Sequence, residues 1–377
     1  MKIMMFVHTF DGRAVAHLAS TLSGHLVALG VEVRLLCATR APGAPEPRDG
    51  VIVEDLELGG KPTGVGIGRA AGVLRARRPH VVFAHGNGPN RAALLARGLA
   101  RTRTRVVTVE HTNYSTSYSG RHWLQHRATS LLYARADRVT GVSPAVVGDL
   151  EQTFPHLRSK TLCLRAPGPD PAEVEGLASA APDHPWFAAG RRHRLICSVA
   201  NVIPRKGQDT LVAALPLVRE RLGDVRLVLV GRFDDEPYLA RLEAMADELG
   251  VTDHVAFVGY RPDPLPFIAH ADVFALASVS EGMGIVLVEA MACGVPVVAT
   301  DCPSGPSFVL EEGAAGRLVP VGAPPAMADA MVELLTDCGL RERLVLRGRH
   351  RAEYFSPQRV AQDYLALAQS LTSTRER

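Results

Sequence analysis

A chain of 377 residues is long enough for two or three domains with sizeable cores. Its 47% hydrophobic and 21% charged residues are those of an ordinary soluble globular protein. A net charge of +3 is too small to argue by itself for nucleic acid or a membrane surface as partner. Six scattered cysteines without a C-x-x-C pair fit a reducing compartment and argue against a disulfide framework or a zinc site. The apolar start at residues 3–7 is too short for a signal segment, and no apolar run approaches a membrane span. A cytoplasmic location without an integral membrane segment is expected, which leaves room for peripheral membrane contact.

Residues 1–175 alternate short apolar runs with helical patterns, the mark of βα units and a parallel sheet. Strands are predicted at 3–8, 31–38, 51–56 (weak), 81–84, 105–109 and 138–142. Helices are predicted at 14–29, 66–76, 90–100 and about 122–135, with another starting at Ser143-Pro144. Ligands of such sheets bind beyond the carboxyl ends of the strands. That places His8, Thr9, Gly12, His85, Asn87, His111 and Asn113 around one crevice. Residues 167–194, rich in Pro, Ala and Gly, read as a connection carrying at most a short helix.

The α/β pattern restarts over 190–355, with strands at 195–200, 226–230, 255–258 and 272–276. Helices are predicted at 209–220, 237–249, 325–336 and 340–354, and a last one at 358–371 falls within 356–377, beyond the sheet elements. The loop Asn201-Val202-Ile203-Pro204-Arg205-Lys206-Gly207 joins a strand to a helix. Its lysine offers a mobile point charge for a diphosphate and its arginine a planar donor fork, although Arg205 reads slightly more as a solvated side chain.

The most informative stretch, residues 278–310, reads S-V-S-E-G-M-G-I-V-L-V-E-A-M-A-C-G-V-P-V-V-A-T-D-C-P-S-G-P-S-F-V-L. Gly282 and Gly284 flank Met283 and remove side chains, so that backbone N–H groups meet a ligand closely. Ile285 and Val286 open a helix predicted to run to Cys293, whose N-terminal dipole end favours an anion. Glu289 follows Glu281 by a little over two helical turns, so both carboxylates can face one cleft. An anion-binding turn between two hydroxyl-accepting carboxylates suits a sugar joined to a nucleotide phosphate.

The pieces E-G-M-G-I-V-L-V-E-A-M-A-C-G-V-P-V-V-A-T-D and P-S-G-P resemble the signature of glycosyltransferase family 4, retaining enzymes of the GT-B fold. The resemblance implies an α/β architecture of two Rossmann-like domains facing each other across a cleft, with the C-terminal helix returning to the first. It implies that Glu281 holds hydroxyls of the donor sugar, that Glu289 grips the nucleotide ribose, and that amides near Gly284 to Val286 meet the diphosphate. Lys206 matches the family's lysine, whereas Asn201 stands where the family usually has an arginine, so one charge of the diphosphate clamp is missing. Gly259 and Tyr260 match the region bordering the base, where Tyr260 reads more as a packing residue than a base-stacking one. Asp11-Gly12 only partly matches a double glycine that approaches the donor phosphates, and Ser307-Phe308 departs from the family after P-S-G-P.

His111 matches a histidine near the donor sugar and joins Glu281 and Lys206 as a catalytic candidate. His85, Asn87 and Asn113 are acceptor-binding candidates, His85 being equally readable as a satisfied core histidine. The arginines 97, 101, 103 and 105 read as a solvated helix face rather than a phosphate or lipid-headgroup patch. No D-x-D motif is present, and the family works without metal or cofactor, taking a nucleotide sugar as co-substrate. The resemblance thus implies transfer of a hexose or N-acetylhexosamine from a UDP-sugar to a glycan, a lipid-linked sugar or a small natural product. A non-catalytic nucleotide-sugar binder, or a phosphorylase or epimerase on the same fold, are the alternatives.

Overall fold

The computed structural model describes residues 1–11, 14–58, 64–117 and 123–373. The chain divides into two compact units, Met1–Pro167 with Pro357–Arg377, and Gly168–Ser356.

Among the described residues of the first unit, seven strands form one parallel sheet. They are β1 (Lys2–Phe10), β2 (Glu32–Arg40), β3 (Ile52–Asp55), β4 (Val81–His85), β5 (Arg105–Glu110), β6 (Arg138–Gly141) and β7 (Thr161–Cys163), ordered β3-β2-β1-β4-β5-β6-β7. The helices are α1 (Ala14–Ala28), α2 (Gly64–Arg77), α3 (Asn87–Ala100), α4 (Tyr114–Ser117), α5 (Trp123–Tyr133) and α6 (Pro144–Thr153). β4 is buried at every position, as a strand covered by helices on both faces must be. Ser143 caps α6 by accepting from the Val146 N–H at 3.3 Å. The C-terminal helix, Pro357–Ser373, packs on α1 within this unit. Its buried Tyr364 ring lies 4.8 Å from that of Phe83 on β4, and Arg165 pairs with Asp363 at 2.7 Å.

The second unit opens with α7 (Pro171–Ala178) and continues as β8 (Arg194–Val199), α8 (Gln208–Leu222), β9 (Val225–Val230), α9 (Glu236–Glu248), β10 (Val255–Gly259) and α10 (Leu265–Ala269). Then come β11 (Val273–Leu276), α11 (Ile285–Ala292), β12 (Val297–Thr300), α12 (Gly305–Val309), β13 (Arg317–Val319), α13 (Pro324–Thr336) and α14 (Cys338–Tyr354). Its parallel sheet is ordered β10-β9-β8-β11-β12-β13. Leu211, Leu215 and Val218 of α8 face Met331 and Leu334 of α13 in its core. Full burial of one such side chain is worth about 1.5–3 kcal/mol.

The first unit ends at Pro167 rather than 175, and the second begins at Gly168 rather than 190. The Gly168 N–H donates to the Phe355 carbonyl at 2.7 Å, and α7, capped by Asp170, packs on α10. The stretch read as a connection is therefore part of the second unit's structure. The short elements β7, β13, α4, α10 and α12 were not predicted, because three to five residues carry too little periodicity to register.

In both sheets the strand order reverses once, between β1 and β4 and between β8 and β11. A crevice opens at the carboxyl ends where neighbouring crossovers leave on opposite faces.

Candidate active site

At the second unit's reversal the loop after β8 meets the loop after β11 backbone to backbone. Gly207 (φ 64°) starts α8, and a Cβ there would lie 2.2 Å from the Ala277 carbonyl oxygen, so only glycine fits. The Val279 N–H donates to the Arg205 carbonyl at 2.9 Å, and the Arg205 guanidinium donates to the Ser280 carbonyl at 2.7 Å. Arg205, expected as a diphosphate ligand or a solvated side chain, is thus tied to the neighbouring loop because that carbonyl lies within its reach.

This junction brings Lys206 to Glu281. The ammonium donates to Oε1, and the Ser278 hydroxyl donates to the same oxygen at 2.6 Å. Only 16% of the lysine side chain and 9% of the glutamate side chain remain exposed. The lysine is a fixed charge, not the mobile one expected, since a largely buried carboxylate holds it. Oε1 is committed twice, and among the described residues Oε2 has no protein hydrogen bond. That oxygen is the one open to a hydroxyl-bearing ligand.

Gly282, Met283 and Gly284 are buried, and Gly284 (φ 76°) caps the start of α11 in the left-handed region. The first amides of a helix have no intrahelical acceptor, and the first turn of α11, from Ile285 and Val286, carries no acidic side chain to occupy them. Half-buried Glu289 lies on the same helix, and burial pushes its carboxyl up to about 7. Burial and the adjacent Glu289 push the Cys293 thiol, one turn on, up to about 12.

Ser304 is a member of this site that sequence reasoning did not single out. It bridges Glu281 as a strand partner, has φ 97°, and its buried hydroxyl oxygen lacks a hydrogen-bond partner. A Cβ on the next residue, Gly305, would lie 2.3 Å from the Met283 carbonyl oxygen, which explains the glycine of P-S-G-P. Phe308 packs edge-on against Phe355 with the Arg351 guanidinium 5.2 Å above its ring, a structural role.

Two further candidates from the sequence are exposed. The Asn201 side-chain amide donates to Asp234 at 2.8 Å. Tyr260 is not a packing residue: it is 46% exposed beyond the edge strand β10, where Gly259 turns the chain at φ 78°. The Arg232 guanidinium stacks over its ring at 4.1 Å.

The first unit's reversal is lined differently. A cavity of about 410 Å³ is bordered by His8, Thr9, Asp11, His85 and Asn87. Gly12 lies outside the described residues. His85 Nδ1 and His111 Nε2 are 3.1 Å apart, and the His85 ring stacks on Tyr364 with centroids 6.3 Å apart. Burial holds both imidazoles neutral: His111 falls to about 4, and His85, which also faces His111, falls well below the usual range. His85 Nε2 is buried without a partner. An orphaned acceptor is less costly than an orphaned N–H, which favours the proton on His85 Nδ1, donated to His111 Nε2. His111 then carries its own proton on Nδ1.

Asn113 is buried with its Oδ1 unpartnered. Asn87 turns inward and donates to the Tyr133 hydroxyl at 3.2 Å, because a buried network at the end of β5 requires it. In that network Tyr133 donates to Glu110, and the Asn90 amide donates to Glu110 and Tyr133, each at 3.1 Å.

Two family models match successive parts of the chain: residues 15–173 match Glycosyltransferase Family 4, and residues 187–351 match Glycosyl transferases group 1. The two matches together support a glycosyltransferase of the family 4 type. The chain is 40% identical over 183 residues to a GDP-mannose-dependent alpha-(1-6)-phosphatidylinositol monomannoside mannosyltransferase of Mycobacterium tuberculosis, covering 46% of this chain and 45% of that protein. The chain thus matches this relative over less than half of its length. A Campylobacter jejuni N-acetylgalactosamine-N,N'-diacetylbacillosaminyl-diphospho-undecaprenol 4-alpha-N-acetylgalactosaminyltransferase is 29% identical over 74% of this chain and 73% of its own. Among solved structures, Anabaena HepE in complex with UDP and glucose superposes with a TM-score of 0.78 at 21% identity, over 98% of this chain and 100% of that one. A glycosyltransferase of Rickettsia africae superposes at 0.77 with 16% identity and 98% of each chain covered. At those identities the likeness carries the fold alone, the two-domain α/β GT-B fold.

Among the described residues, no helix is long and apolar enough to cross a membrane.

Proposed function

We propose that this chain is a glycosyltransferase that moves a hexose or N-acetylhexosamine from a nucleotide-diphosphate sugar to an acceptor hydroxyl, with retention and without a metal. The observation that carries this reading is the Glu281 carboxylate, clamped through Oε1 by Lys206 and Ser278 with Oε2 open, beside the glycine-led start of α11. Oε2 accepts from a sugar hydroxyl, the amides of Ile285 and Val286 meet the diphosphate, and Glu289 meets the ribose. As the bond from the anomeric carbon to the phosphate oxygen breaks, the acceptor oxygen attacks from the same face. The acceptor proton passes to the leaving phosphate, whose charge Lys206 and the helix amides stabilise. His111, through Nδ1–H, serves as a hydrogen-bond donor to substrate, with Asn113 and His85 nearby for the acceptor.

The name of the Mycobacterium relative makes GDP-mannose the first donor to test, and a UDP-sugar, the expectation from sequence, the second. A glycan or lipid-linked sugar is the acceptor class that the named relatives favour. A thermal-shift screen against GDP, UDP and ADP and their sugars, followed by transfer assays in excess EDTA, tests the reading. One nucleotide series is expected to raise the melting midpoint in the wild type, and transfer is expected to persist in EDTA. A shift without turnover towards any acceptor would favour a non-catalytic binder. The absence of any shift would overturn the donor site.

A further inference from the structure

We propose that a second, arginine-lined cavity in the first unit binds a di- or polyphosphate group. It has a volume of about 490 Å³ and sits at the amino-terminal ends of β4 and β5, between the turn after α2, the turn after α3 and the end of the C-terminal helix. β4 runs from this edge to His85 at the opposite one, so the cavity is separate from the crevice at the carboxyl ends.

Five arginines line it (Arg75, Arg78, Arg101, Arg103 and Arg105), with no carboxylate among the lining residues. Arg97 and Arg105, read from sequence as a solvated face, each pair with Asp137 at 2.7 Å, and Arg75 donates to the Leu99 carbonyl at 3.2 Å. Arg78, Arg101 and Arg103 have no carboxylate partner among the described residues. Three exposed arginines without a carboxylate partner line one hollow, and their like charges favour an anion there.

Two further observations point the same way. Arg78 and Arg101 hold φ of 47° and 52°, positions that end helices and that a chain most easily fills with glycine or asparagine. Side chains kept at such cost are a reason to look for function. The hydroxyl of Thr102, also lining the cavity, is buried without a hydrogen-bond partner. Planar guanidinium forks suit phosphate oxygens, and several charges in one hollow call for a multiply charged group. The group can be soluble or carried on an anionic lipid.

Calorimetric titration with pyrophosphate in about 0.15 M salt tests this, with the Lys206→Ala chain used to remove binding at the donor site. Binding that survives in Lys206→Ala is expected to weaken at least tenfold on adding Arg78→Gln, Arg101→Gln and Arg103→Gln together. Arg103→Glu alone, on ordinary backbone, is expected to weaken it several-fold with an unchanged melting midpoint. Equal binding with and without the arginine changes, or no binding in Lys206→Ala, overturns the proposal. Sedimentation with vesicles containing cardiolipin, whose headgroup carries two phosphates, but not with phosphatidylcholine vesicles, competed by pyrophosphate, assigns the source to a lipid headgroup. Pyrophosphate binding without sedimentation assigns it to a soluble ligand.

Discussion

The two units share one strand order around the reversal, yet each furnishes its own crevice with opposite chemistry. The second unit builds from backbone and charge: two glycine-bearing loops lock together, and a lysine–glutamate pair is held in the junction. The first builds from neutral side chains far apart in sequence: two buried imidazoles, and an Asn–Glu–Tyr network behind them. The first arrangement suits hydrogen bonds to an uncharged hydroxyl, and the second suits a charged leaving group. One architecture could thus serve both halves of the transfer proposed above, and the difference lies in the residues that follow the strands.

The most forceful way to break that contrast is to remove the charge from the second unit. Lys206→Ala takes away the group proposed to stabilise the departing diphosphate and leaves the Glu281 carboxylate largely buried and unpaired. A loss of roughly 100-fold or more in kcat is expected, as for other preorganised electrostatic partners. Steady-state kinetics with the donor identified by thermal shift measure it. Activity within a few-fold of wild type would show that the pair is structural.

Acidity sharpens the comparison, because the units should respond in opposite directions. The unfolded chain protonates His111 near 6.5, whereas the folded first unit holds it neutral down to about 4. The unfolded state therefore binds more protons between those values, and the first unit loses stability as pH falls through that window. Glu289 is the reverse case: its folded carboxyl titrates near 7 and its unfolded one near 4.5, so the second unit gains stability as pH falls from 7 to 4.5. Each effect amounts to at most about 3 kcal/mol, and less where water reaches these half-buried groups. Hydrogen-exchange protection, corrected for intrinsic rates, should fall in β5 and rise in α11 between pH 7 and pH 5. Glu289→Gln should abolish the rise in α11 and leave β5 unchanged. Parallel responses in wild type would refute the assignment.

The same contrast decides what could be read from the sequence. Glu281, Gly284 and Glu289 stand close together in one run, and their spacing reflects a local turn and helix, so the turn and the helix start were legible. The roles within the pair were not, because the Gly207–Ala277 contact that delivers Lys206 to Glu281 joins residues 70 apart. In the first unit His85 and His111 could be placed at strand ends from the alternation of β and α. Their contact, and the inward turn of Asn87 toward Tyr133, depend on packing between elements that no periodicity encodes. Tyr260 was misjudged because an edge strand and a central one look alike in sequence, while only the latter buries its neighbours.

The smallest expected effect tests whether the second unit's site is complete without its ligand. A buried hydroxyl with no partner costs the folded state part of its desolvation, and removing it returns that cost. Ser304→Ala should therefore leave stability unchanged or raise it by up to about 1 kcal/mol in urea unfolding without ligand. Alanine and serine face the same backbone strain at φ 97°, so the comparison isolates the hydroxyl. If that hydroxyl meets the nucleotide sugar, donor affinity should fall about fivefold by calorimetry, the value of one neutral hydrogen bond. A loss of stability beyond 1 kcal/mol would assign the serine to the fold, whereas weaker binding with no loss of stability would place it against the donor. Ser304 is joined to Glu281 through a backbone bridge, so the second outcome would extend the second unit's rule: groups that bind are set by locked loops rather than by side chains meeting across the sheet.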